Sequence, residues 1–499
     1  MKKVVEIGDR RELFVDGLMA ERLEGGARLQ MQRPVAREVV LRTDQPWEGN
    51  TSGYISMFRD GDKIRLYYKA MGVGVVSGDK KSAEGDGLRW LHPYYNAMVE
   101  SSDGIDFTRP EFTHIPYEPW NGVVTDHPVP NNIVIKPDAD KGFYIHGFSV
   151  FLDENPAAPA AERYKALGSK NSTDLTITGL FAFTSADGIN WSVRREPILR
   201  GMMFDSQNLA FWDSVSGCYR AYMRGWYGEW GRYISTSTSP DFVNWTNPEP
   251  IELPGVTPCQ LYTNQVMPYH RAPHILLGFP TRYIERKWCR ATELLPDLES
   301  RRKRYNIMPR YGEAITEGLM MAGRGGTKFK LWEEAFLRPG PLLSGSWNYG
   351  DKYQGWGMIE TPSALGDAPP ELSFYAVENY YLDHPATFRR YTLRLDGFMS
   401  VTAPVAGGEV VTPPLVFDGD GLELNVETSA AGSVRVQLES VDGKPLPGYS
   451  LADCHEIFGD RVDYPVAWQG RDGCGSLAGQ AVRLRFKMYD ADLYSFKFS

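Results

Sequence analysis

The same tight turn recurs five times along this chain, each time after strand-like segments rich in aromatic residues. That period constrains the fold more than any single residue does. The clear copies are Ser101-Ser102-Asp103-Gly104-Ile105-Asp106-Phe107, Ser185-Ala186-Asp187-Gly188-Ile189-Asn190-Trp191 and Ser239-Pro240-Asp241-Phe242-Val243-Asn244-Trp245. Two degenerate copies follow, Gly323-Arg324-Gly325-Gly326-Thr327-Lys328-Phe329 and Arg394-Leu395-Asp396-Gly397-Phe398. Asp bonds its own backbone two residues on, Gly supplies positive φ, and the closing aromatic packs back onto a sheet. Repeats on this scale mark units that cannot bury their faces alone. Five copies predict an all-β fold, a five-bladed β-propeller with its functional pocket at the centre.

Composition agrees. Of 499 residues, 13% are aromatic, with 50 Gly and 34 Pro, which suits many short strands joined by turns. The net charge is −9 without a basic stripe, which argues against nucleic acid as a partner. The five cysteines (Cys218, Cys259, Cys289, Cys454, Cys474) show no CxxC spacing and suggest neither a zinc site nor a disulfide framework. No metal or other cofactor is called for. No apolar run has the length of a signal peptide or a membrane span. The expectation is a soluble, cytoplasmic protein without a membrane partner, or a secreted one whose signal has been removed.

Three regions are expected. Residues 1–45 carry strand-like pieces that brace or close the ring. Residues 46–401 form the propeller: hairpins start at Tyr54, Asn132, Gln207, Tyr262 and Gly355. Residues 402–499 alternate apolar and polar, as in Leu422–Val426 and Val482–Phe486, and predict a small C-terminal β-sandwich. Around 289–318 the pattern breaks into an insertion with a short helix and the run Arg301-Arg302-Lys303-Arg304, read as a solvated charge cluster.

In a propeller, the first strand of each blade faces the axis, and its start shares one mouth with the end of the second strand. That geometry selects Trp47, Glu48, Asn50, Asp126, His127, Asn131, Asn132, Asp205, Asn208, Asn264, Gln265, Trp356 and Glu360 from the starts. Lys69, His146, Arg224, Arg282 and Glu378 come from the ends, with Trp226 on a following loop. Breaking a glycosidic bond needs such an inventory: one carboxyl to protonate the leaving oxygen and one carboxylate to attack or to activate water. Indoles offer flat faces to sugar rings, while amides and guanidinium groups bind hydroxyls.

The hairpin Phe58-Arg59-Asp60-Gly61-Asp62-Lys63-Ile64-Arg65-Leu66-Tyr67-Tyr68 and the Asp-Gly-x-x-aromatic turns resemble the five-bladed propeller superfamily of glycoside hydrolases, families 32, 43 and 68 and their relatives. The chain is also similar to bacterial family-32-like proteins that end in a sandwich, with a tail like Ala491-Asp492-Leu493-Tyr494-Ser495-Phe496. The resemblance implies a glycosidase acting on a furanoside or similar small glycan, with acids from successive inner strands at Glu48, Asp126 and Asp205. The family-32 signatures Trp-Met-Asn-Asp-Pro-Asn-Gly, Arg-Asp-Pro and Glu-Cys are absent. Glu48 and Asp205 are the expected working pair, with Asp126, Glu360 and Glu378 as further acids. Trp47, Asn50, Asn131, Asn208, Arg224, Trp226, Asn264, Gln265, Arg282 and Trp356 are the expected sugar-binding set. A transferase or phosphorylase of the same fold, or a carbohydrate-binding propeller without catalysis, are the alternatives; full pairing of the pocket carboxylates with cations would favour the last.

Overall fold

A computed structural model describes residues 4–75, 88–117, 129–137, 145–170 and 178–499. The chain folds as a five-bladed β-propeller joined to a ten-stranded sheet. Blade I runs outward through Gly53–Asp60, Lys63–Ala70, Tyr95–Ser101 and Ile133–Ile135. Blade II is His146–Leu152, Tyr164–Lys170 and Gly179–Ser185, with short edge pieces. Blade III is Leu209–Asp213, Cys218–Tyr227, Gly231–Ser239 and Glu249–Pro250. Blade IV starts at Met267–Tyr269 and continues through Ala272–Gly278, Ala314–Gly323 and Phe329–Leu337. Blade V holds Tyr353–Gln354 and Ile359–Thr361 inside, then Glu371–Glu378 and Thr387–Arg394. Its outermost strand is Val35–Arg42, from the other end of the propeller sequence, so the ring is closed by hydrogen bonds between early and late segments.

One expectation about the blades is corrected. Ile133–Ile135 was read as the start of blade II but pairs with Tyr95–Ser101 as the rim of blade I. The first strand of blade II begins instead at His146.

The recurring turn follows the third strand of every blade. In the three clear copies the Asp Oδ1 accepts two successive backbone N–H groups, those of Ile105 and Asp106, Ile189 and Asn190, and Val243 and Asn244. The turns of blades I to IV dock on the second strand of the preceding blade, and the fifth bonds Tyr269 and Arg271 at the first hairpin of blade IV. Tyr67 of blade I donates its hydroxyl to the Gly188 carbonyl, Tyr375 of blade V to Gly104, and Tyr222 of blade III to Gly326. Between blades II and III the contact is carried by Lys165 over the Phe242 ring. Gly188 has φ 76°, and a Cβ there would lie 2.5 Å from the Tyr67 hydroxyl, so both conformation and space call for glycine. The turn is an inter-blade clasp.

The two degenerate copies hold the ten-stranded sheet. In the fourth, Arg324 pairs with Glu12 and Asp16, both at 2.7 Å. In the fifth, the buried Asp396 carboxylate accepts from Tyr269, Arg271, Ser495, Asn425 and Arg11. Their sequences depart from the pattern because these positions bind another unit. That sheet joins strands from residues 5–31 to those from 399–498, among them the long Leu422–Ser440 and Val482–Phe498, around its own core with Trp468 at 0% exposure.

At the axis the first strands meet through buried amides. Gln207 Nε2 donates to the Ile55 carbonyl at 2.8 Å, and Gln265 Nε2 donates to Gln207 Oε1 and the Gln354 carbonyl, both at 2.7 Å. This polar plug separates two cavities, one at each end of the ring.

Candidate functional site

The cavity at the starts of the inner strands has a volume of about 250 Å³ and is walled by seven tyrosines: Tyr54, Tyr94, Tyr262, Tyr311, Tyr349, Tyr380 and Tyr381. Lys69, His146, Asp205, Arg310, Thr51, Met71, Val73 and Trp90 complete the lining. The elements explain the convergence. Tyr54 and His146 start inner strands, and Lys69 ends the second strand of blade I. Tyr380 and Tyr381 follow the second strand of blade V. Arg310 and Tyr311 come from the helical insertion, on the short helix Pro309–Glu313.

That insertion corrects the reading of the basic run. Arg302 and Lys303 are exposed, but Arg301 and Arg304 are buried at 0% and 2% exposure. Arg301 donates to the carbonyls of Gly312 and Trp347 and, together with Arg304, to Asn348 Oδ1. Inward-facing guanidinium groups thus tie helix Leu298–Ile307 to the loop that carries Tyr349, and so shape the mouth.

Lys69 is the most perturbed cation of the wall. Its Nζ donates to Tyr380 Oη at 2.8 Å and lies 4.8 Å from the Tyr54 ring centroid and 5.1 Å from that of Tyr380. Burial brings its pKa down to about 7. His146 packs between Tyr54 and Tyr94. Burial, then the Lys69 and Arg224 charges, outweigh Asp205 and lower the imidazole to about 4, so it is neutral at physiological pH. Its Nδ1 has no hydrogen-bond partner among the described residues. Asp205 accepts from Arg224 and keeps 39% of its side chain exposed to the mouth.

Of the expected acids, the structure brings only Asp205 to this cavity. Glu48 is buried outside the lining: Arg109 donates to both its oxygens, at 3.0 and 2.9 Å, and Tyr68 and the Gln45 N–H donate as well. It anchors a loop, so the Glu48–Asp205 pair is not formed. Glu360 lies in the cavity at the opposite end, bonded to His270 at 2.8 Å. Glu378 faces a third, peripheral cavity and is held by Lys352, Arg389 and Tyr391. Asp126 and His127 lie outside the described residues.

Most of the expected sugar-binding set works inside the scaffold. Trp47 Nε1 donates to Asn132 Oδ1, and Asn50 bonds the backbone of Val73 and Leu382. Asn208 and Asn264 hold the main chain of the blade starts, as in Asn208 Nδ2 to Phe204 and Ser206, and Asn131 holds the main chain at the rim strand of blade I. Gln265 belongs to the axial plug. Arg282 pairs with Glu317 away from the mouth, and Trp356 lines the opposite cavity. Arg224 acts through Asp205. Trp226 is 61% exposed, near Arg224 and Arg232.

Of the wall, Tyr262 follows from its place at a blade start, whereas the other six tyrosines and Arg310 do not follow from blade geometry. The available signal was the doublets Tyr94-Tyr95 and Tyr380-Tyr381 among 27 Tyr. One member of the first doublet and both of the second reach the cavity. Among the described residues, no three His, Cys, Asp or Glu side chains gather as metal ligands, and no helix is long and apolar enough to cross a membrane.

No protein-family model matches the chain, and no curated protein matches it. Among solved structures it is similar to a glycoside hydrolase at 10% identity and TM-score 0.43, covering 72% of this chain and 92% of the other. A thermostable family-43 glycoside hydrolase matches at 12% identity and TM-score 0.43, covering 72% and 95%. An N-acetylgalactosamine deacetylase from F. plautii, in complex with blood group B trisaccharide, matches at 11% identity and TM-score 0.42, covering 80% and 96%.

Proposed function

We infer that the tyrosine-walled mouth binds a small carbohydrate and that the protein breaks a glycosidic bond there. The observation that carries this reading is the meeting of one partly exposed carboxylate, Asp205, with Lys69 and His146 in a cavity of tyrosine rings. Flat rings stack on sugar faces, and their hydroxyls bond sugar hydroxyls. A volume of about 250 Å³ suits one sugar ring better than an extended chain. Bonded to the Arg224 guanidinium, the Asp205 carboxylate is an acceptor, the state required of a base or a nucleophile. Lys69, buried among the rings, is a charged hydrogen-bond donor to a group on the bound sugar. Neutral His146 offers Nδ1 to a hydroxyl.

The test is a screen of aryl glycosides and oligosaccharides, with and without inorganic phosphate, repeated with Asp205→Asn. The substitution should lower turnover by about 10²-fold or more, the scale of acid–base catalysis, while sugar binding survives. Turnover untouched by D205N refutes the assignment. The pairing of Asp205 with Arg224 favours a second reading, a propeller that binds sugar without cleaving it. Binding with no turnover across the screen would select that one.

A further inference from the structure

Among the described residues the wall of the mouth carries two cations, Lys69 and Arg310, against one carboxylate, Asp205; Lys69 is buried and Arg310 half-buried. Lys69 is 4% exposed, and its hydrogen bond goes to a neutral hydroxyl, that of Tyr380. Arg310 donates to the Tyr311 hydroxyl at 2.9 Å and lies over that ring, while its buried Nε has no partner among the described residues. Among the described residues neither cation forms an ion pair with a carboxylate. Asp205, the one carboxylate among the described residues of the lining, is already engaged by Arg224. Buried cations are ordinarily matched by anions, because the cost of dehydrating them is otherwise not recovered. These two cations line one small cavity together with tyrosine hydroxyls, which can donate, and so form a receptor for an oxyanion.

We propose that Lys69 and Arg310 hold an oxyanion carried by the substrate, so that the sugar bound in this mouth is an acidic one, such as a uronic acid. The inference rests on the reading of the mouth as a carbohydrate site and narrows its substrate class. Arg310 supplies a planar fork suited to a carboxylate, and Lys69 a point charge on the wall of the same cavity. The helical insertion in blade IV then has a role: its buried Arg301 and Arg304 fix the segment that brings Arg310 to the rim.

Calorimetric titration of the full-length protein with the methyl glycosides of glucuronic and galacturonic acid, against glucose and galactose, tests the proposal by binding alone. Inorganic phosphate and sulfate form separate arms. Acidic sugars should bind at least tenfold more tightly than their neutral counterparts. Arg310→Gln and Lys69→Gln should each remove most of that preference, and Arg302→Gln, on the exposed face of the insertion, should leave it intact. Tight binding of phosphate that strengthens neutral-sugar binding would keep the oxyanion receptor but overturn the acidic substrate, assigning the charge to a free anion. Equal binding of acidic and neutral sugars, with no response to phosphate, overturns the receptor and leaves the carbohydrate reading standing. Binding of phosphate or sulfate with no sugar of either class bound overturns the carbohydrate reading and leaves the receptor. Thermal unfolding of each variant separates lost binding from lost fold.

Discussion

Replacing Lys69 with Met should make the protein more stable and less active, with a gain in stability that depends on pH. The ammonium lies among the rings of Tyr54, Tyr94 and Tyr380, and burial lowers its pKa from 10.5 to about 7. The unfolded chain keeps the ordinary value. At pH 6 the folded state therefore bears a penalty of about 5 kcal/mol, at about 1.36 kcal/mol for each tenfold in proton affinity. A depressed amine pKa means that the unfolded chain binds more protons between pH 7 and 10.5, so stability rises with pH across that window. By pH 9 the remaining penalty is about 2 kcal/mol. Methionine keeps the length and the ring contacts but forfeits the bond to Tyr380, worth about 1 kcal/mol. The net gain is then about 4 kcal/mol at pH 6, shrinking to about 1 kcal/mol at pH 9. Urea unfolding followed by tryptophan fluorescence at pH 6, 7.5 and 9 measures it. His146, lowered to about 4 partly by the Lys69 charge, titrates higher in the Met variant, which adds to the gain at pH 6 in the same direction. A gap that does not change with pH, or a Met variant less stable at pH 6, refutes the reasoning.

Asp396→Asn should cost about 3–5 kcal/mol, the scale of a buried ion pair losing one partner, because Arg271 and Arg11 lose their carboxylate. Burial pushes this carboxyl up, but Arg271 and Arg11 with the Ser495 and Tyr269 hydroxyls hold it below 3.8. Its contribution is thus present above the ordinary value and lost as pH falls through the lower one; acid unfolding of the variant should show less of that dependence. Glu48→Gln should lower stability by about 2–3 kcal/mol through Arg109, which is 27% exposed, yet leave turnover per folded molecule unchanged. Denaturant midpoints alongside rates normalised to the folded fraction check both halves. Tyr67→Phe should cost about 1 kcal/mol for the bond to Gly188. Gly188→Ala should cost more, since strain and a clash add, and calorimetric melting compares the two.

The ring was legible because the clasp repeats: Asp103, Asp187 and Asp241 each need the same backbone geometry, and that need is written locally. The start of blade II was not legible, because Ile133–Ile135 and His146–Leu152 are equally strand-like, and only pairing tells a rim from an inner strand. The site was half legible. Asp205, Lys69, His146 and Arg224 follow from blade geometry. Glu48 follows from the same geometry and fails, because Arg109 and Tyr68, distant in sequence, turn it into an anchor. The asparagines fail for a related reason: an amide at a blade start serves the backbone before it can serve a ligand. Arg301 and Arg304 read as solvated because sequence cannot show that carbonyls of a later loop, and Asn348, receive them.

The closing strand Val35–Arg42 has its partner at Thr387–Arg394, and the strands before it have theirs from residue 399 onward. During synthesis residues 5–42 must therefore wait, without their sheet neighbours, until residues 387–394 and those from 399 onward have left the ribosome. A nascent chain stalled anywhere within the third or fourth blade would offer two raw sheet edges at once, the kind of surface chaperones seek and aggregates grow from.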